Sequence, residues 1–358
     1  MKTTALIMAG GRGERFWPKS RKQTPKQFLC LTDSDRTMIQ STVDRILPLV
    51  SAEDIFIATN RDYKALVREQ LPEIPEENIL CEPMARNTAP CIGWGAVAIR
   101  KKYGEAVMLV LPSDHMITQP HLFRKTLRNA VKIAEASDAL VTLGIAPSAP
   151  DTGYGYIQYE NEPSEEYDNA FRVKRFVEKP DLETAKGYVA SGEYLWNSGM
   201  FIWKTSAILR ETEAHLPENY ALLTGMEEAM GTAEEEKKIA ELFGRMKPIS
   251  IDYGVMERTK DVYVLPSMFG WDDVGSWLAV ERMSTANDSG NVIRGDVVTV
   301  SSRRCIVQGG ERLIAMVGLE DVIIVDTKDA LLVCAKDSAG EIKKVPEILR
   351  AVNRTELL

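Results

Sequence analysis

The sequence predicts an α/β fold: a doubly wound, mostly parallel sheet followed by a smaller C-terminal domain built of short strands. Three observations predict it. Apolar runs of strand length alternate with helix-length amphipathic stretches through the first part of the chain, the signature of a sheet covered on both faces. A glycine-rich segment follows directly on the first apolar run. Beyond a cluster of turn formers at 284–291 the alternation stops and short β-like runs replace it. With 358 residues, 44% of them hydrophobic, the chain can bury one large core and a smaller appendage.

In chain order, the strands expected are 3–8, 54–59, 78–81, 106–111 and 139–144, separated by helices near 38–47, 63–70, 89–102 and 122–136. From Tyr154 to Trp203 the pattern shifts to longer β segments interrupted by one helix around 182–191. The stretch Ser284-Thr285-Ala286-Asn287-Asp288-Ser289-Gly290-Asn291 reads as a linker. The runs 296–300, 305–307, 313–317, 322–325 and 330–334 then recur like the rungs of a small β-helix, before a last amphipathic stretch at 342–352. The tail after Asn291 carries no phosphate, metal or sugar motif and is expected to serve assembly and not chemistry. Its apolar runs must bury against the main domain or a second subunit.

Ala9, Gly10, Gly11 and Gly13 fall where the first strand gives way to a loop, which is where phosphates bind in α/β folds. Glycines there let backbone N–H groups converge on an anion. Arg12, Arg15, Lys19, Arg21, Lys22 and Lys26 gather in the same stretch against the single carboxylate Glu14, although the chain as a whole carries a formal net charge of -8. A local cation cluster on an acidic protein points to an anionic small substrate. The spacing fits neither a P-loop nor the dinucleotide fingerprint. It resembles the G-G-x-G-x-R-x-x-P-x-[ST] plus P-K signature of the sugar nucleotidyltransferases, and Trp17-Pro18-Lys19-Ser20-Arg21 with Pro25-Lys26-Gln27-Phe28-Leu29 resembles their mannose-1-phosphate guanylyltransferase (GDP-mannose pyrophosphorylase) branch.

The resemblance implies a Rossmann-like nucleotidyltransferase sheet over 1–285, with the Tyr154–Trp203 region as a sugar-binding lid, and a left-handed β-helix-like domain over 291–358 that contributes to a homodimer. It also implies the reaction: transfer of GMP from GTP to α-D-mannose 1-phosphate, giving GDP-mannose and pyrophosphate by direct in-line attack on the α-phosphorus. The alternatives are another nucleoside triphosphate or hexose 1-phosphate, or a catalytically silent nucleotide-sugar sensor. Arg15 and Lys26 are expected to neutralise the triphosphate. A phosphate monoester is already anionic, so it needs no general base and no covalent intermediate. The chain's three histidines form no Ser–His–Asp arrangement, so catalysis rests on alignment and charge stabilisation.

Asp114 ends the apolar strand Leu109-Val110-Leu111-Pro112-Ser113, where a parallel strand delivers its last residues to the ligand crevice. Mg²⁺ prefers few protein oxygens plus substrate phosphates, and the P-S-D-H resemblance assigns Asp114 to that ion; a turn or N-cap aspartate is the alternative. In Phe269-Gly270-Trp271-Asp272-Asp273-Val274-Gly275-Ser276-Trp277 the family pattern places its acid on Asp273, making Asp114 and Asp273 the metal pair. Either aspartate of that loop could also cap the following helix.

Glu82, Asn87 and Thr88 lie in a turn that can read a purine edge, with helix capping as the alternative for Asn87 and Thr88. Gly153, Glu178, Lys179 and Asn197 carry the sugar-phosphate contacts that the resemblance implies, Lys179 meeting the phosphate. Asp252 either contacts ligand or organises the site. Five scattered cysteines indicate neither zinc nor a disulfide framework. No stretch reaches membrane-spanning length. Bifunctional members of the family that the chain resembles carry a C-terminal isomerase domain that binds metal through histidines; no histidine follows His215 here, so isomerase activity is not expected. The expected setting is the cytoplasm, with no nucleic acid or membrane partner.

Overall fold

The computed structural model describes residues 1–11, 13–31 and 34–358, so Arg12 of the cation cluster lies outside the described residues. The chain divides into two compact units that do not follow chain order. One comprises Met1–Gly10, Asp44–Pro112 and Ile117–Trp271; the other comprises Gly11–Val43, Ser113–Met116 and Asp272–Leu358.

Up to residue 267 the chain runs β1 (Lys2–Ala9), α1 (Met38–Ile46), β2 (Ile55–Asn60), α2 (Lys64–Gln70), β3 (Ile79–Glu82), α3 (Thr88–Tyr103), β4 (Ala106–Pro112), β5 (Met116–Ile117), α4 (Pro120–Ala136) and β6 (Leu140–Ile145). It continues through β7 (Tyr156–Tyr159), β8 (Phe171–Val177), α5 (Leu182–Ser191), β9 (Tyr194–Lys204), α6 (Thr205–His215), α7 (Pro217–Ala229), α8 (Glu235–Arg245) and β10 (Val262–Ser267). The large unit is organised by a nine-stranded sheet in the order β3-β2-β1-β4-β9-β6-β10-β8-β7. Strands β1 to β4 pair in parallel, as do β6 and β10. β9 inserts antiparallel between β4 and β6, and β7 and β8 extend the far edge antiparallel.

The local chemistry explains these elements. β4 reads Ala-Val-Met-Leu-Val-Leu before its Pro112, and all six apolar residues are buried, as a central strand covered on both faces requires. α4 buries Phe123, Leu127, Ala130, Val131 and Ala134, a helical stripe, and opens on Pro120, whose missing N–H costs nothing in a first turn. The main core packs Leu6, Met108 and Val110 of the sheet against Ile92 and Val97 of α3 and Ile208 and Leu209 of α6. After β1 the chain moves outward to β2 and β3, then returns to β4 on the other side of β1. That reversal is the switch point beyond which open α/β sheets bind ligands. Met8 and Pro112 register there, and the chain leaves the large unit just after Gly10 and just after Pro112.

The smaller unit contains most of the last part of the chain: beyond β11 (Trp271–Asp272) come α9 (Trp277–Met283), β12 (Val292–Arg294), β13 (Val297–Val300), β14 (Ile306–Gln308), β15 (Ile314–Val317), β16 (Val322–Asp326), β17 (Leu331–Ala335) and α10 (Lys344–Ala351). β12, β14 and β16 stack in parallel, β13 and β15 form a second parallel ladder, and β17 closes antiparallel on β16. Phe16, Trp17 and Leu31 share one core with Trp277, Ile306, Ile323, Val325, Leu332 and Ile342. Polar ties follow the same route. Trp17 Nε1 donates to the Leu357 carbonyl at 2.9 Å, and Lys19 Nζ to Gln308 Oε1 at 3.1 Å. Arg21 reaches the Leu357 carbonyl and Asp329, and Arg350 pairs with Glu14.

The stretch 284–291 lies between α9 and β12 as a hydrogen-bonded corner. Asn287 Oδ1 accepts from Ser289 N and Asn291 N, while the buried Asn291 accepts from Cys305 N. All five cysteines are free thiols, and no helix among the described residues is long and apolar enough to cross a membrane.

Candidate active site

In the smaller unit, Gly13 is the hinge of the glycine-rich loop. It adopts the left-handed region at φ 61° and opens the short 3₁₀ turn Glu14–Phe16. A Cβ on Gly13 would stand 2.4 Å from Lys26 Cβ and 3.0 Å from Lys26 N, so any other residue would push the two segments apart. Gln27 Nε2 fastens the same approach by donating to the Gly11 carbonyl at 3.0 Å.

Lys26 is buried. Its Nζ lies 2.9 Å from Asp114 Oδ2, donates at 2.7 Å to the Asp273 carbonyl, and stands over the Phe16 ring. One ammonium thereby gathers three distant segments. Burial alone would raise the Asp114 carboxyl, but the Lys26 charge and then His115 hold it below the ordinary carboxylate range. Asp272 and Asp273 separate in role. Asp272 accepts from Val274 N at 2.8 Å and pairs with Arg282, whereas Asp273 accepts from Gly275 N at 3.1 Å and lines a cleft. Neither side chain caps α9, whose N-cap is Ser276 with no side-chain cap bond. Between them Val274 sits at φ 49°, a strained conformation for a β-branched residue that the two aspartate turns and its full burial hold in place.

The cleft has a volume of about 580 Å³, and its lining includes Gly13, Arg15, Lys26, Asp114 and Asp273. Arg15 is exposed there and makes no salt bridge among the described residues. Of the six grouped cations, Lys19 and Arg21 are instead spent on the β-helix contacts described above. The lining also includes residues outside the set expected from the sequence, among them His115, Lys343 and Glu347. His115 directly follows Asp114 and was legible from that position. Lys343 and Glu347 come from the tail that was expected to serve assembly alone, and no spacing signal links them to the loop.

Two further groups lie in the large unit. Glu82 ends β3 with only 7% exposure; its Oε1 has no hydrogen-bond partner among the described residues, and a Cβ on Gly10 would stand 3.3 Å from its Oε2. Burial pushes the Glu82 carboxyl up to about 7, against a lowering bond from the Cys91 thiol. The Ala9 carbonyl accepts from Thr59 Oγ1 at 3.0 Å. Asn87 caps α3 by accepting from Thr88 N, and Thr88 Oγ1 accepts from Ile251 N at 2.8 Å, so the capping alternative describes the contacts Asn87 makes here.

The other group gathers polar side chains around Gly155. Asn197 Nδ2 donates to Asp252 Oδ1 at 2.9 Å, its backbone N–H donates to the Gly155 carbonyl at 2.8 Å, and Lys179 pairs with Glu178. A Cβ on Gly155 would stand 2.5 Å from Glu178 Oε2 and 3.4 Å from Asn197 Cβ. The glycine at the centre of this group is thus Gly155; Gly153 lies in an exposed turn, donating its N–H to Asp151 Oδ1 at 2.7 Å. Burial, then the neighbouring Glu178, lifts the Asp252 carboxyl to about 6. Burial works against the Lys179 charge, and Glu178 more than offsets it, leaving its pKa above the ordinary value.

Comparisons with known proteins agree with this architecture. Residues 4–289 match the Nucleotidyl transferase family, and residues 295–349 match the MannoseP isomerase/GMP-like beta-helix domain. The mannose-1-phosphate guanylyltransferase of Escherichia coli (strain K12) is 42% identical over 364 residues, covering 99% of this chain and 75% of that protein. The same enzyme of Salmonella montevideo is also 42% identical, with the same coverage of each chain. The crystal structure of mannose-1-phosphate geranyltransferase from Thermus thermophilus superposes with a TM-score of 0.88 at 35% identity, covering 98% of this chain and 100% of that one. The chain belongs to the nucleotidyl transferase family, within its mannose-1-phosphate guanylyltransferase branch, and is a nucleotidyltransferase enzyme.

Proposed function

We propose that this enzyme transfers GMP from GTP to α-D-mannose 1-phosphate, releasing pyrophosphate. The observation that carries the reading is the convergence of Arg15, Lys26, Asp114 and Asp273 on one cleft from three separate chain segments. A sugar-phosphate oxygen attacks the α-phosphorus, a new P–O bond forms, and the bond to the β-phosphate bridge breaks as pyrophosphate leaves. Arg15 meets charge gathering on the departing phosphates. Lys26, fixed by Asp114 and the Asp273 carbonyl, holds positive charge at the cleft floor without needing to move. Glu82 offers the guanine edge a buried carboxylate, beside Asn87 and Thr88, while Glu178, Lys179, Asn197 and Asp252 form the sugar-phosphate group.

Two carboxylates lining one cleft suit Mg²⁺, which keeps its other positions for water and substrate oxygens. Asp114 and Asp273 would hold it, and when bound it would neutralise phosphate charge between the two substrates. The homodimer is proposed from the outward faces of β13 and β15, where Val298 and Val300 are each 51% exposed and Val317 67%. A cytoplasmic setting accords with five free thiols. Pyrophosphate release from a panel of triphosphates and hexose 1-phosphates tests the reading. GTP with mannose 1-phosphate is expected to give the highest kcat/KM, and a clear preference for another pair would overturn it.

A further inference from the structure

After Ala335 the chain carries five cations: Lys336, Lys343, Lys344, Arg350 and Arg354. Four are paired, Lys336 with Glu281, Lys344 with Glu341, Arg350 with Glu14 and Arg354 with Glu356. Lys343 makes no salt bridge among the described residues, and it is one of the residues that line the phosphate cleft. It immediately precedes α10 with helical backbone angles, φ -58° and ψ -22°. Lys343, Glu347 and Arg350 therefore recur at the i, i+4, i+7 spacing that places side chains on one helix face. That face meets the glycine-rich loop: Lys343 and Glu347 line the cleft, and Arg350 holds Glu14. Glu347, one turn beyond Lys343, forms no salt bridge with it.

The cleft thus contains two cations without a salt bridge among the described residues, Arg15 from the loop and Lys343 from the tail. The same lining carries the carboxylates of Glu14, Asp114, Asp273 and Glu347, so these two cations are the groups on which a polyanion gains charge-assisted hydrogen bonds. A compact ammonium with three donors suits the non-bridging oxygens of phosphate.

We propose that Lys343 is a substrate-contacting residue whose ammonium binds the β- and γ-phosphates of the nucleoside triphosphate, the pair that departs as pyrophosphate. The proposal rests on the nucleotidyl-transfer reading above. It gives the C-terminal domain a chemical duty beside its structural one, since the residue that leads into the helix bracing the loop through Arg350 supplies a charge for the leaving group.

The test uses the full-length enzyme in the reverse direction, with pyrophosphate and GDP-mannose as substrates, alongside calorimetric titration of pyrophosphate alone. Lys343→Ala is expected to raise the pyrophosphate KM and Kd by about tenfold, the scale of one lost charge-assisted contact, while the GDP-mannose KM stays within about twofold. Lys343→Arg should recover most of the loss. Lys344→Ala, which removes the neighbouring ammonium that pairs with Glu341, should leave pyrophosphate binding unchanged. Unchanged pyrophosphate KM and Kd in Lys343→Ala would overturn the proposal. So would equal increases for both substrates, which would mark a structural effect on the whole cleft. A wild-type enzyme that binds pyrophosphate yet makes no sugar nucleotide would count against the nucleotidyl-transfer reading, and the calorimetric comparison would still decide the role of Lys343.

Discussion

Lys26 Nζ stands 2.9 Å from Asp114 Oδ2 and at the same time donates to the Asp273 carbonyl at 2.7 Å, so one buried ammonium joins a glycine-rich loop to two acidic turns far along the chain. Removing it leaves a half-buried carboxylate without its ammonium. Lys26→Met should lower stability by about 1–3 kcal/mol, less than for a fully buried pair because Asp114 retains 34% side-chain exposure. It should also reduce kcat by roughly two orders of magnitude, as loss of a preorganised charge does. Thermal melts beside steady-state rates measure both; a variant with wild-type kcat would show that Lys26 is architectural only.

For the two aspartates the informative replacements are amides. Asp273→Asn keeps an oxygen to accept from Gly275 N, and Asp114→Asn keeps the shape of the turn, so both should fold. Each removes one negative charge from the proposed cation site. Turnover in a Mg²⁺ titration should then fall at least about tenfold at limiting ion and recover partly at high ion. Overlapping Mg²⁺ curves for wild type and both variants would remove the pair from that role.

Glu82 gives a pH signature. Its folded-state pKa, about 7, lies above the ordinary 4.5, so the native state holds an extra proton between those values. Stability therefore falls as pH rises through that window, reaching a deficit of roughly 3 kcal/mol above it. Without nucleotide, Glu82→Gln should melt higher than wild type at about pH 8 and equal to it at about pH 4. The same variant should bind GTP more weakly, because an amide cannot accept both guanine N–H donors. A Glu82→Gln protein less stable at about pH 8 would contradict the assignment of an uncompensated buried carboxylate.

Asp252 accepts from Asn197 in the proposed sugar-phosphate group and lies in a π-helical turn, a distortion common at functional sites. Asp252→Ala should raise the KM for mannose 1-phosphate several-fold, by about the factor expected for one hydrogen bond, with the KM for GTP little changed. Parallel changes in both constants would assign Asp252 to general architecture.

Much of the fold was legible because its elements are locally consistent. The helix expected at 182–191 is α5 itself, Asp181 capping it by accepting from Thr184 N. β4 declared itself through an unbroken apolar run. β10 did not, because Pro266 argues against a central strand; yet Pro266 registers with Gly144 in a parallel pair. The antiparallel insertion of β9 was equally hidden, since pairing direction is a tertiary property. The cation cluster marked the loop, but only packing shows that Lys19 and Arg21 serve the β-helix while Arg15 makes no salt bridge among the described residues. Lys343 is more than three hundred residues from that loop, at a distance where no spacing rule operates. The shared core of Trp17, Trp277 and Ile323 accounts for the grouping of loop and tail in one unit.

Transfer of the guanylyl group of GTP to a sugar phosphate fixes the fate of each phosphorus atom, so isotope placement distinguishes it from any other cleavage of the triphosphate. Wild-type enzyme would be supplied with mannose 1-phosphate, Mg²⁺ and GTP labelled at either the α- or the γ-phosphorus. The expected result is α-label in GDP-mannose and γ-label in pyrophosphate, formed in equal amounts. Absence of sugar nucleotide, or γ-label appearing on the sugar, would contradict it.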